Sequence, residues 1–228
     1  AAVTSGGGVV WRRFRRDRVG LIALAGLTLV VLLCFVGEPL LAKLLGHGPD
    51  QPFPVPIQEA SPHPLGWWSH VQTPNGKQLL PLGGDGPLQR DELLRLLAGG
   101  RVSLEIAFVA TMLALLIGVV LGTLAGYFGG FVDAVISRVT ELFMSLPLLL
   151  LVIALGQTAA QRFEYWTLFG IFQPGILALA VVVGLFSWFY PARVVRTLAV
   201  SLREQEFVEA AHMTGARDLR IIRRELLP

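Results

Sequence analysis

An all-α polytopic membrane protein is the fold class the sequence predicts, and three observations predict it. Hydrophobic residues make up 54% of the 228 residues and charged ones 15%, too little charge to cover a soluble domain of that size. Apolar stretches recur that are long enough to cross a hydrocarbon core of ~30 Å, which takes about 20 helical residues. The period-two alternation of a barrel strand is absent, so backbone groups placed in lipid must be satisfied within helices.

Residues 1–18 form a basic leader into the first apolar run, with Arg12, Arg13, Arg15, Arg16 and Arg18. The run at 19–45 is too long for the h-region of a signal peptide, and no A-x-A site follows it, so it reads as a retained transmembrane helix. Cys34, the only cysteine, lies within that run. No base is evident near it and Leu33 is too bulky for a lipoprotein cleavage site, so it reads as a small apolar filler. Three further spans are expected near 103–128, 132–155 and 174–192. Pro147 should kink the third.

Charge sets the expected orientation. Arginines cluster before the first span and again after the fourth, at Arg193, Arg196, Arg203, Arg217, Arg220, Arg223 and Arg224. An even number of crossings returns the chain to its starting side, so both basic ends are expected in the cytoplasm. The loop 46–100 is then external. Its Asp50, Glu59, Asp85, Asp91 and Glu92 outweigh Lys77, Arg90 and Arg95, in keeping with that placement. Within it, 90–97 (RDELLRLL) reads as a short amphipathic surface helix, and Trp67 and Trp68 suit either interfacial anchoring or packing within the loop. His47, His63 and His70 lack ligand spacing and read as solvent-exposed loop histidines rather than metal ligands.

Gly118, Gly122 and Gly126 repeat every four residues and line one helix face, where missing side chains admit a neighbouring helix. In the third span Arg138 and Glu141 are spaced to pair, and Asp133 lies near them. The group either faces a bundle interior or sits at the headgroup level.

The terminal segment from Glu206 to Pro228 (EFVEAAHMTGARDLRIIRRELLP) is the richest. Phe207, Ala210, Ala211 and Thr214 share one helical face, shallow enough for a partner backbone to approach. Gly215 can take positive φ and turn the chain. Leu219, Ile222 and Leu226 line a second helix, which Pro228 closes. The expected product is two short helices at an angle, able to pass a push between membrane helices and a soluble partner. Two helices around a glycine turn also describe a DNA-binding helix-turn-helix, so a membrane-tethered regulator is the alternative. Glu204, Glu206, Glu209, Asp218 and Glu225 nearly balance the arginines, whereas a groove-reading helix carries a basic excess. Phosphate-binding, zinc-protease and nucleophile-elbow motifs are absent, which argues against an enzyme.

Several landmarks occur in a characteristic order: W-R-R-F-R-R at 11–16, R-D-x-L-x-R-L-L at 90–97, G-R-V-S-L at 100–104, G-Y-F-G-G-F-V-D at 126–133, Leu146-Pro147, the run 193–196, and the terminal E-A-A motif with Gly215. Together they resemble the C-type permease subunit of the dipeptide, oligopeptide and nickel branch of ABC importers. The resemblance covers most of the chain outside about 50–81.

It implies a type I importer transmembrane domain of six helices. Four of those would be present here, with a permease core at 101–228 and a cytoplasmic coupling loop at 193–228. The chain begins without Met and ends on the last residue of the motif, so it is expected to be a fragment. The resemblance also implies a second permease subunit in a heterodimer, two cytoplasmic ATPases, an external solute-binding protein, and a multi-pass place in a bacterial or archaeal inner membrane. The solute would be a di- or oligopeptide or a relative such as nickel. ATP would be bound by the partners, with no cofactor or metal on this chain and no nucleic acid. Glu206, Glu209, Ala210, Ala211, Gly215 and Pro228 would form the element that docks on an ATPase. Three departures stand out. An insertion follows His63-Pro64-Leu65-Gly66, Gln89 stands where relatives carry a glycine before Arg-Asp, and Glu225 occupies a position that is apolar in the general motif.

Overall fold

In the computed structural model, residues 14–53, 66–73, 76–85, 88–163, 165, 167, 172, 175–215 and 218–222 are described. The chain divides into two compact units, 1–104 and 105–228.

In the first unit, helix α1 (Arg18–Leu32) starts at Asp17, whose carboxylate accepts the Val19 amide at 3.1 Å. A π-helical turn (Leu33–Gly37) leads into α2 (Glu38–Leu45). Pro39 offers no N–H to the preceding turn and its ring crowds the carbonyl there, so the helix widens just before it rather than breaking. Gly46 ends α2 in the left-handed conformation, φ 75°. The whole stretch Arg18–Leu45 is long and apolar enough to cross a membrane. Its apolar side chains stay uncovered (Val19 77%, Ile22 73%), as expected of a surface that meets lipid or another helix. Cys34 is the exception. It is buried, with its Sγ 2.7 Å from where a methyl on Gly100 would stand, so it acts as the small filler the sequence suggested.

The Pro- and Gly-rich loop contains β structure that periodicity does not reveal. Strand β1 (Ser69–Thr73) pairs antiparallel with β2 (Gly76–Leu80), and β3 (Gly84–Asp85) with β4 (Arg90–Asp91). Phe53, Val71 and Leu80 make a small core beneath the first hairpin. Asp85 closes the second. It accepts the Arg90 amide at 2.9 Å and the Arg90 guanidinium at 2.8 Å, and pairs with Arg95. Burial works to raise the Asp85 pKa, but the Arg90 hydrogen bonds and the Arg95 charge outweigh it and hold the carboxyl below its usual value.

Two expectations need correcting in this unit. His47 is not a solvent-exposed loop histidine. It is 4% exposed, 3.6 Å from the Asp91 carboxylate, and meets the Phe53 ring edge-on at 5.1 Å. It follows the left-handed turn at Gly46, which carries the chain back over its own loop core. His70 is exposed, and His63 lies outside the described residues. Nor is 90–97 a separate surface helix. Asp91 caps the Leu94 amide at 3.1 Å, and from Glu92 the backbone is one helix, α3, through Phe128. Gly99 and Gly100 are carried within the helix, which begins about three turns before its expected start at 103. Trp67 and Trp68 are both exposed.

In the second unit, the part of α3 beyond Leu104 is the shaft on which other helices pack. Gly129 (φ 65°) and Gly130 (φ 50°) make a reverse turn available only to glycine without strain. Helix α4 (Gly130–Ser145) follows. The expected third span does not merely kink at Pro147. Leu146 is extended, the conformation favoured before proline, and α5 (Leu148–Arg162) departs at 84° to α4. The expected fourth span is likewise a bent pair, α6 (Ile176–Leu185) and α7 (Phe189–Arg203), at 43°. Pro191 cannot bond to the carbonyl of Ser187, so the helix restarts with the proline in its first turn. Helix α7 then runs to Arg203, well past the expected end at 192. Trp188, Phe189, Ala192 and Ala114 form its core, with Phe143 of α4 edge-on to Trp188 at 5.6 Å. Among the described residues, two helices are long and apolar enough to cross a membrane, or up to four if each bent pair is one span.

Candidate functional site

The terminal element begins at the end of α7. Helix α8 (Glu206–Met213) is followed by Gly215 and by α9 (Asp218–Ile221). Gly215 has φ 76°, and among the described residues no atom beyond its chain neighbours lies within 4 Å of where its Cβ would be. That positive φ is the conformation glycine adopts without strain.

The two faces of α8 differ. Val208 is 1% exposed and packs in one cluster with Tyr127, Ile221 and Ile222, while Ala211 leans on that cluster. Phe207, Glu209, Ala210, Met213 and Thr214 stay exposed, as does Glu206. The face read from the sequence (Phe207, Ala210, Ala211, Thr214) is thus open except for Ala211, which is shared with the interior. Ile221 of α9 and Ile222 just past it are buried. The Leu219 side chain, Leu226 and Pro228 lie outside the described residues.

Three contacts that sequence reasoning missed hold this element, or the helix that leads into it, to its neighbours. The Tyr127 hydroxyl donates to Asp218 Oδ1 at 2.8 Å. The Arg203 guanidinium donates to the Tyr127 carbonyl at 3.1 Å, capping the end of α3. Arg196 forms a forked pair with Asp133, one arm at 2.6 Å, joining α7 to α4. Such forks combine charge with fixed geometry. Asp133 was singled out in the sequence, but its partner lies 63 positions away, beyond any local spacing rule. The expected Arg138–Glu141 pair forms at 2.9 Å on an exposed surface.

Gly118, Gly122 and Gly126 all face α7. A methyl on Gly118 would stand 2.9 Å from Ala192 N and from the Trp188 carbonyl oxygen. One on Gly122 would stand 2.9 Å from Val195 Cβ and 3.1 Å from Arg196 N. One on Gly126 would stand 2.6 Å from the Arg196 carbonyl oxygen and from Ala199 Cβ. The two backbones approach because nothing lies between them. Gly184 makes the same kind of approach to Ala110 and Leu113 from α6. Beside the stripe lies a cavity of about 320 Å³ lined by Gly122, Ser137, Thr140, Glu141, Arg193 and Arg196, among others. Among the described residues, no cluster of three or more His, Cys, Asp or Glu side chains is arranged to hold a metal ion.

These features define a class: a multi-pass helical membrane protein with a two-helix elbow after its last apolar segment. Residues 118–228 match the family of binding-protein-dependent transport system inner membrane components, and residues 7–62 match the N-terminal transmembrane domain of oligopeptide transport permease C. The chain belongs to that family of ABC importer permeases. It is 32% identical over 217 residues to the oligopeptide transport system permease protein OppC of Escherichia coli (strain K12), covering 95% of this chain and 62% of the relative. It is 32% identical over 223 residues to the dipeptide transport system permease protein DppC of Bacillus subtilis (strain 168), covering 96% of this chain and 58% of the relative. The nickel transport system permease protein NikC of Escherichia coli (strain K12) is 32% identical over 153 residues, 67% of this chain and 50% of that protein. The chain thus spans less than two thirds of the length of these relatives.

Proposed function

We propose that this chain is part of a permease subunit of an ATP-binding-cassette importer. It lines the translocation path for di- or oligopeptides or a related small solute, and works through partner ATPases bound at its terminal elbow. One observation carries the reading. The elbow is fastened to the membrane helices on one side, through Val208, Ile221 and Ile222, and leaves a shallow face with Phe207 and Ala210 open on the other. A lever needs both a fixed side and a free one.

In this reading Glu206, Glu209, Ala210, Ala211 and Gly215 belong to the docking element, with Pro228 closing it. Gly118, Gly122 and Gly126 keep α7, which leads into the elbow, tight against α3. Each bent helix pair makes one crossing, giving four spans of a six-helix subunit. Both ends face the cytoplasm and 46–100 lies outside, where an external solute-binding protein delivers the solute. A second permease completes the path. ATP binds to the two cytoplasmic ATPases, and this chain needs no cofactor. The membrane is the bacterial or archaeal inner membrane. Similarity to a nickel permease keeps nickel as an alternative solute.

The test is Glu209→Lys. Glu209 is exposed on α8, so the reversal leaves the fold alone. Insertion should be normal, solute uptake should fall, and the ATPases should no longer copurify. Unchanged uptake and copurification would contradict the reading.

A further inference from the structure

We propose that Tyr127 is the positioning residue through which the elbow moves helix α3. The inference rests on the elbow's coupling role and adds the route by which its motion enters the membrane.

Tyr127 stands one residue before α3 ends at Phe128. Its ring is 6% exposed and shares a cluster with Val208 of α8 and with Ile221 and Ile222 at the α9 end. It therefore belongs with both arms of the elbow. Its hydroxyl donates to Asp218 Oδ1 at the start of α9, at 2.8 Å, and its carbonyl accepts from Arg203 at the end of α7, at 3.1 Å. Three elements meet on this one residue.

The mechanical consequence follows from what is stiff and what is not. Among the described residues no atom lies within 4 Å of a Cβ built on Gly215, and its φ is positive, so no side-chain packing at Gly215 braces the two arms of the elbow. An apolar cluster alone resists separation but tolerates sliding, because hydrophobic contact is non-directional. The hydroxyl–carboxylate bond is directional and charge-assisted, so it fixes where α9 sits on the end of α3. Beyond Tyr127, α3 has no give against α7, since Gly118, Gly122 and Gly126 put the two backbones in contact. A push on the elbow is therefore handed to α3 and α7 as a pair instead of being absorbed at Gly215.

The experiment uses the full-length subunit assembled with its partners in proteoliposomes, with uptake and ATP hydrolysis read together and docking read by cross-linking from Ala210. Tyr127→Phe keeps the ring and removes the bond. Asp218→Ala removes the acceptor from an exposed position. Each should leave docking and basal hydrolysis intact while solute moved per ATP falls on the order of five-fold, the loss expected for one hydrogen bond. The double variant should be no worse than either single one. Asp218→Asn retains an acceptor oxygen and should restore at least half of the coupling. Full coupling in Tyr127→Phe, additive losses, or an Asp218→Asn as poor as Asp218→Ala would overturn the proposal. Failure of the unaltered subunit to dock would instead strike the coupling role itself.

Discussion

Adding single methyl groups to the α3 glycines tests whether α3 and α7 touch backbone to backbone. A methyl on Gly118 would sit 2.7 Å from Pro191 Cγ, and one on Gly126 2.6 Å from Ala199 Cβ. Favourable contacts lie at about 3.5–4.0 Å, so α7 would have to retreat by roughly 0.8–1 Å at either point. Much of what blocks the methyl is backbone, which no rotamer change can move. Overpacking of this kind costs about 1–3 kcal/mol. Alanine recovers about 0.5–1 kcal/mol of helix propensity over glycine. The net loss for Gly118→Ala, Gly122→Ala or Gly126→Ala is then about 0–2.5 kcal/mol. Gly99 supplies the control in the same helix: among the described residues nothing lies within 4 Å of its Cβ position, so Gly99→Ala should only gain. Thermal unfolding of the detergent-solubilised protein reads the difference. At about 2–4 °C per kcal/mol for a chain of this size, the three stripe variants should melt several degrees below Gly99→Ala. If Gly122→Ala and Gly126→Ala melt with Gly99→Ala, the close approach is wrong.

Gln89 has φ 48° and its side-chain carbonyl is buried without a hydrogen-bond partner among the described residues. Gln89→Gly removes both penalties and should stabilise the second hairpin by about 1 kcal/mol, read as slower hydrogen exchange at 84–91; faster exchange would show that the side chain's packing matters more. Asp85 has a lowered pKa, so its contribution is fully present above the ordinary carboxylate value and is lost as pH falls through the lower folded one. Exchange in this hairpin should be indifferent to protonation of Asp85 from pH 8 to 5 and should rise below about pH 4, and Asp85→Asn should remove that acid step. Trp67 is 77% exposed and native Cys34 is buried, so Trp67→Cys should react with a membrane-impermeant maleimide added outside intact cells over little background; labelling only after lysis would reverse the proposed orientation.

What could be read from the sequence and what could not divide along local and long-range physics. The glycine stripe was legible because three residues at i, i+4 and i+8 declare a face without knowledge of the neighbour. Gly215 was legible because it sits between two amphipathic stretches. The helix boundary at Pro147 was legible, but its size was not: the extended backbone at Leu146 turns a kink into a corner. The β-hairpin at 69–80 escaped notice because its stability comes from Phe53, outside the strands, and its own pattern is mostly polar. His47 looked exposed because its cover, Asp91 and Phe53, arrives from other parts of the loop. Tyr127 stood out only as part of the landmark at 126–133, and nothing in its local pattern gave its role. Its partner Asp218 is 91 residues away, and an aromatic at a helix end is ordinarily an interfacial anchor. The contacts that fasten the elbow are all of this long-range kind, whereas the face it leaves open was written in local spacing.

The most direct measurement is capture of the ATPase by a photocrosslinker at Ala210 in intact cells. Ala210 is exposed on α8 while Val208, two positions earlier, is buried. The account predicts an adduct with a nucleotide-binding subunit from Ala210, and none from Val208. Absence of that adduct from Ala210, in cells where the subunit is inserted and uptake is normal, would contradict it.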